Sequence, residues 1–223
     1  MRVRSLTLSV LFKLVLVGCV VYVLVRAFQD PALGVSPLRF FTLQSNIAAA
    51  AACLFFAARE VAKSRLFEGR RDHQGPEVSL SRAQGLVRGV VLLAISITGF
   101  VFNLLLAQLL PRVDLANQLA HAVVPIGFVL DWLLFDVKGR FRYRDVLVWV
   151  AYPLLYFFGT LAVGAWGDGF YPYPFLNAAA YGYGAVARNA VVMLIAFSVL
   201  GELYVWVDRR MGRPASPRAK SSI

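Results

Sequence analysis

Apolar residues in this chain fall into six long runs, each near the twenty residues that a helix needs to cross the hydrocarbon core of a bilayer. The runs are Leu6–Val25, Phe40–Ala58, Leu86–Leu110, Leu115–Phe135, Val146–Ala165 and Ala185–Val207. Polar residues interrupt the fourth run, and it is the least apolar of the six. It is kept as a span because two basic loops would otherwise lie on opposite sides of the membrane. The pattern predicts an all-α fold: a polytopic membrane helix bundle with six transmembrane helices forming one domain over residues 1–212. The basic tail 213–223, rich in Pro, Ser and Ala, is expected to be disordered, and Gly69–Ser81 to be flexible.

Charge adds the orientation. Eighteen of the 23 Lys and Arg residues lie in the N-terminal segment, the loop after the second run, the loop after the fourth, and the tail. The loop after the second run is counted with Arg59, Lys63, Arg65, Arg70, Arg71, Arg82 and Arg88. Arg26, Arg39 and Arg112 are on the opposite side, and Lys13 and Arg188 fall within helices or at their edges. By the positive-inside rule the crowded side is cytoplasmic, so both termini are cytoplasmic. Arg2 and Arg4 precede the first run as in a signal peptide, but no small-x-small cleavage site follows, and the run reads as a retained helix.

Composition agrees. The chain is 59% hydrophobic and 16% charged, where a soluble domain carries about a quarter charged residues. The net charge of +11 sits in clusters at membrane edges. It therefore points to anionic lipid headgroups at the cytoplasmic face as partners, and not to nucleic acid. Cys19 and Cys53 lie inside apolar runs and give neither a disulfide framework nor metal-ligand spacing. No metal and no cofactor is expected. The bias toward Ala, Arg and Val suits a bacterial chain, hence a multi-pass protein of a bacterial cytoplasmic membrane.

Polar groups inside apolar helices are costly and usually face the bundle interior. The second run holds Thr42, Gln44, Ser45 and Asn46; Thr42, Ser45, Asn46 and Ala49 follow the spacing of one helical face. The fourth holds Gln118, His121 and Asp131, the third Asn103, and the sixth Arg188, Asn189 and Glu202. With alternating helix directions, Thr42, Asn103, His121, Arg188 and Asn189 share an outer layer, and Asp131 and Glu202 an inner one. Pro125 removes the hydrogen bond that would reach the His121 carbonyl, predicting a kink and a free acceptor beside the imidazole. His73 lies in the polar loop and reads as solvated. Residues 182–187 match the letters of a dinucleotide fingerprint but follow no strand, so they read as chance or as close helix packing by small residues. The last outer loop, Trp166–Tyr183, is aromatic, carries no Lys or Arg, and belongs at the outer mouth.

Three segments carry a resemblance: Phe40-Phe41-Thr42-Leu43-Gln44-Ser45-Asn46, His121-Ala122-Val123-Val124-Pro125, and Tyr171-Pro172-Tyr173-Pro174-Phe175-Leu176-Asn177. In order and placement they resemble the androgen-induced six-pass membrane proteins, most of all their prokaryotic branch. Some animal members of that family are threonine hydrolases of fatty acid esters of hydroxy fatty acids. The resemblance implies Thr42 as nucleophile and His121 as general base, with a lipid ester as substrate and membrane lipid as surroundings. Ser45, Asn46, Asn103, Gln118, Arg188 and Asn189 are then the candidates for substrate contact, Arg188 for a fatty carboxylate. Asp114 and Asp168 would serve His121 only if a loop folded inward. The flanks of Thr42 and His121 differ from the animal forms. Two other classes stay open: a lipid-binding or proton-coupled transport bundle using Asp131 and Glu202, and an inactive family member acting through partners.

Overall fold

In the computed structural model, which describes residues 5–31, 34–67, 81–109 and 113–212, six helices are long and apolar enough to cross a membrane. They are α1 (Leu6–Phe28), α2 (Phe41–Phe67), α3 (Arg82–Leu109), α4 (Leu115–Phe135), α5 (Asp145–Trp166) and α6 (Ala178–Met211). No strand occurs among the described residues. Large apolar side chains such as Leu104, Leu147 and Leu155 lie exposed on the outside of the bundle, where water would disfavour them and lipid would not. This is the architecture of a multi-pass membrane protein. The expected flexible stretch Gly69–Ser81, apart from Ser81, and the tail 213–223 lie outside the described residues.

Local chemistry starts most of the helices. Ser5, Ser81, Asp114 and Asn177 each accept a hydrogen bond from the backbone N–H three residues on, and so satisfy donors that a helix start leaves open. At Ser81 the Gln84 side chain returns the bond, closing a capping box. The helices outrun their apolar runs, because polar residues continue a helix beyond the hydrocarbon. Thus Arg59 and Lys63 belong to α2, and Arg82 and Arg88 to α3, where a loop was expected. The start of α6 also comes earlier than Ala185, and the chain bends at Gly182 with φ +77° and ψ +156°. Gly182 and Gly184 have no neighbouring atoms within 4 Å of an added Cβ, so this segment is a backbone break and not a close helix contact.

The core centres on α3, which packs against α2, α4, α5 and α6. α1 closes the other side against α2 and α4. Neighbouring helices alternate in direction, giving the bundle two ends. One end carries the starts of α2, α4 and α6; the other carries the starts of α1, α3 and α5.

At the second end an ionic network crosses the bundle. Lys13 of α1 lies 3.1 Å from Glu60 of α2 and 2.9 Å from Asp131 of α4, and donates to Ser9 Oγ at 2.7 Å. Ser9 Oγ donates to Glu60 at 2.8 Å. Arg88 of α3 pairs with Asp131 and, through Nε at 2.9 Å, with Asp136. Lys13, Arg88 and Asp131 are fully buried. Arg88 is therefore an interior cation bonded across helices, not a loop charge marking topology. Asp131 joins this network, whereas Glu202 is exposed on α6.

Candidate functional site

At the first end, α2 begins after a 3₁₀ turn, Pro37–Arg39, and Thr42 is its second residue. The α4 segment Leu119–Val123 is a π turn ending just before Val124 and Pro125. The opposing stretch of α3, Phe102–Leu106, is also π-helical. π turns re-aim side chains and leave backbone groups without ordinary partners. Two of those carbonyls are met from neighbouring helices: Asn103 Nδ2 donates to the His121 carbonyl at 2.9 Å, and Asn46 Nδ2 to the Ala120 carbonyl at 3.2 Å. The acceptor expected from Pro125 is thus present and occupied.

This geometry brings Thr42 and His121 together. Thr42 Oγ1 lies 3.1 Å from His121 Nε2, and both residues are buried. Nδ1 lies 3.0 Å from the Asn117 carbonyl. A carbonyl only accepts, so the ring proton sits on Nδ1 and the Nε2 lone pair faces the threonine hydroxyl. Thr42 therefore donates to His121. The imidazole stacks on Phe102 with centroids 3.7 Å apart and planes 13° apart.

A third group completes the cluster. Tyr173 Oη lies 3.3 Å from Thr42 Oγ1 and accepts from the Thr42 backbone N–H at 3.3 Å. Since the Thr42 proton points to His121, the Tyr173 hydroxyl donates to Thr42 Oγ1. Burial of that hydroxyl pushes its pKa above the ordinary tyrosine value, which keeps it a donor. The ring stacks on Phe175 (5.3 Å, 4°) and meets Phe40 edge-on. Outside it, Arg39 clasps Asp168 in a two-pronged ion pair, at 2.5 and 3.0 Å, and bonds the Phe170 carbonyl at 3.3 Å. The Arg39 guanidinium holds the Asp168 carboxyl down at about 2.

The remaining polar candidates are structural at this site. Ser45 bonds Thr98 Oγ1 at 2.6 Å and the Thr42 carbonyl at 3.0 Å, and Asn46 bonds the same carbonyl at 2.8 Å. Asn103 bonds the Gly99 and His121 carbonyls. Asn189 bonds the Phe175 carbonyl at 3.2 Å, pinning the turn after Tyr173. Gln118 is exposed and bonds the Val113 carbonyl. Arg188 is exposed, on the face of α6 turned away from Val186, Ala190 and Met193, and does not reach Thr42. None of these six lines the cavity described next, so they are not placed as substrate contacts. Polar groups in apolar helices first satisfy backbone acceptors and one another, which accounts for the difference. Asp114 caps α4 and Asp168 pairs with Arg39, so neither serves His121.

Thr42 and Tyr173 line a narrow cavity of about 80 Å³ between α3, α5 and α6. Its other walls are largely Ile, Leu, Val, Met and Phe side chains, with Thr98 and Tyr156 as the other hydroxyl groups and no charged residue. The site thus joins a hydroxyl, a base with its lone pair aimed at it, a neutral hydrogen-bond donor and an apolar slot. Sequence reasoning missed Tyr173; its signal was a tyrosine flanked by Pro172 and Pro174 in an uncharged aromatic loop. Compared with known proteins, the chain matches no family model, no curated protein and no solved structure.

Proposed function

We propose that this chain is a membrane-embedded hydrolase of lipid esters, with Thr42 as nucleophile and His121 as general base, as its resemblance to the androgen-induced six-pass family implies. The observation that carries the reading is the directed chain Tyr173 O–H to Thr42 O–H to His121 Nε2, with Nδ1–H fixed on Asn117. A hydroxyl becomes a useful nucleophile when a base takes its proton in the attack. In the proposed reaction Thr42 Oγ1 attacks the ester carbonyl carbon as its proton passes to Nε2. The tetrahedral oxyanion takes its hydrogen bond from Tyr173, in the positive field of the α2 N-terminus. The C–O bond to the alcohol then breaks, and His121 returns the proton to the leaving oxygen. Water attacks the acyl-threonine with His121 again accepting a proton, and Thr42 leaves reprotonated.

The cavity offers apolar walls up to the hydroxyl and no charge, which suits the first methylenes of an acyl group beside the ester carbonyl. Among the described residues no carboxylate balances the imidazolium; the Asn117 carbonyl on Nδ1–H and the face of Phe102 supply its stabilisation. By the positive-inside rule this site lies toward the outer leaflet, with both termini in the cytoplasm of a bacterium. The transport alternative drew on Asp131 and Glu202. Asp131 is held between Lys13 and Arg88, and Glu202 is exposed, so no observation favours that reading.

The test is hydrolysis of a fluorogenic long-chain acyl ester by purified protein, beside Thr42→Ala and His121→Ala. Loss of activity in both, with an acyl adduct on Thr42 in quenched wild-type protein, supports the mechanism. Full activity in both variants sinks it.

A further inference from the structure

Two successive carbonyls of α4 lose their ordinary backbone donors beside the imidazole. In the π turn the Val124 N–H bonds the Leu119 carbonyl, so it does not serve Ala120. Pro125 has no N–H to offer His121. A buried carbonyl left unmet is costly, and each of these two is met by an asparagine from a different helix.

The two asparagines work alike. Asn46 Nδ2 donates to the carbonyl four residues back in α2, at 2.8 Å, and to the Ala120 carbonyl at 3.2 Å. Asn103 Nδ2 donates to the carbonyl four residues back in α3, at 2.8 Å, and to the His121 carbonyl at 2.9 Å. All four partners only accept, so the amide nitrogen faces them in both cases. Gly99 lets α3 come close: an added Cβ there would lie 3.0 Å from Pro125 Cβ and 3.2 Å from the His121 carbonyl oxygen.

They differ in what their own helix supplies. The carbonyl behind Asn103 is that of Gly99, which carries no side chain. The carbonyl behind Asn46 is that of Thr42 itself. One amide nitrogen, on a fully buried residue, thus joins the residue that bears the hydroxyl to the turn that bears the imidazole. The other side-chain bond on the Thr42 carbonyl comes from Ser45 at 3.0 Å, and Ser45 leads through Thr98 to α3, not to α4.

We propose that Asn46 is a positioning residue: by holding both backbones it sets the 3.1 Å separation of Thr42 Oγ1 and His121 Nε2. Asn46 has this role in catalysis only with Thr42 and His121 acting as proposed above. A misplacement of about 1 Å between reacting groups can cost about 100-fold in rate, so a single amide that fixes this gap has leverage without touching substrate.

The experiment labels the full chain with ¹⁵N-histidine in detergent micelles, with His73→Gln in every sample so that one imidazole is read. The Nε2 resonance reports whether its lone pair accepts the Thr42 proton, and Thr42→Ala supplies the unbonded position. Asn46→Ser and Asn46→Thr keep a hydroxyl for the carbonyl of their own helix but lose the reach to Ala120. Asn103→Ser loses the matching bond to His121 and is the comparison. Both Asn46 variants are expected to move the Nε2 resonance to the Thr42→Ala position. They should also lower kcat on the fluorogenic ester by about 100-fold with KM held within about twofold. Asn103→Ser should lower the melting temperature while its resonance stays near the wild-type position. The spectrum needs no substrate: a wild-type chain that hydrolyses nothing would sink the hydrolase reading, and the Asn46 spectra would still decide whether Asn46 sets the gap. A wild-type resonance in a folded Asn46 variant, or an equal displacement in Asn103→Ser, would overturn the positioning role. So would failure of both Asn46 variants to fold while Asn103→Ser folds, which would leave Asn46 a structural residue only.

Discussion

The two ends of helices α1 to α4 solve the same problem in opposite ways. Each must place polar groups inside an apolar bundle. Around Asp131 the answer is charge: Lys13, Arg88, Glu60, Asp131 and Asp136 come from four helices and fix them to one another. Around Thr42 the answer is neutral. Two amides bond carbonyls of the α4 π turn, Ser45 and Asn46 bond the Thr42 carbonyl, and the imidazole bonds that of Asn117. An ionic interior holds one arrangement firmly, because any separation strands a charge in low dielectric. A neutral interior allows a proton to shift from hydroxyl to imidazole without stranding anything beforehand. The ionic end and the neutral end, proposed above as the reactive one, are therefore expected to fail differently when altered.

The sharpest way to break the comparison is to remove the base. His121→Ala should lower the rate constant for ester hydrolysis by about 10²–10⁴-fold while leaving the melting temperature within a few degrees of wild type. A collapse in stability with activity otherwise intact per folded molecule would reverse the assignment of roles.

At the opposite end the effect should appear in stability. Asp131→Asn removes the carboxylate shared by Lys13 and Arg88 and is expected to cost about 3–5 kcal/mol, read by chemical denaturation in detergent. Arg88→Met with Asp131→Leu removes both partners and should recover part of that loss, since buried charges stranded singly are the costly state. A double variant worse than the sum of the two single changes would show that the network is not what holds this end.

Tyr173→Phe keeps the ring stacking and removes only the hydroxyl. It should lower kcat by about 10–100-fold, in line with loss of one oxyanion donor, with little change in KM. A pure KM effect would make Tyr173 part of the cavity wall only.

The smallest effect is expected at the clasp. Asp168 has a depressed pKa, so its contribution is complete above its ordinary 3.8 and is lost only as pH falls through about 2. Across neutral pH the clasp is constant, and the pH profiles of wild type and Asp168→Asn should run parallel from about pH 5 to pH 8. KM should rise about threefold or less, as for an exposed pair. Diverging profiles would place a further titrating group on that loop.

Much of this was legible in the chain. Six apolar runs give six spanning helices, and the spacing of Thr42, Ser45, Asn46 and Ala49 gives one buried face of α2. Pro125 announces the free carbonyl that Asn103 fills. Arg88 was legible as a charge but not as an interior one, because a positive residue near a helix end has the same letter whether it faces water or Asp131. Arg188 shows the reverse error: polar, at the right depth, and on the wrong face, since a depth argument does not fix the rotation of a helix. Tyr173 is one aromatic among many, and only the folded loop puts its hydroxyl on Thr42.

The π turn at Leu119–Val123 has a consequence for engineering and for descent. Such a turn is an α-helix with one residue too many, and each residue in a helix carries the next around the axis by about 100°. Deleting a single residue within it would restore regular winding and swing either His121 or everything beyond it out of register. The Thr42–His121 contact thus hangs on a count: a one-codon deletion with no change in charge or helix number would leave a bundle that still inserts and folds but no longer has an imidazole beside its hydroxyl.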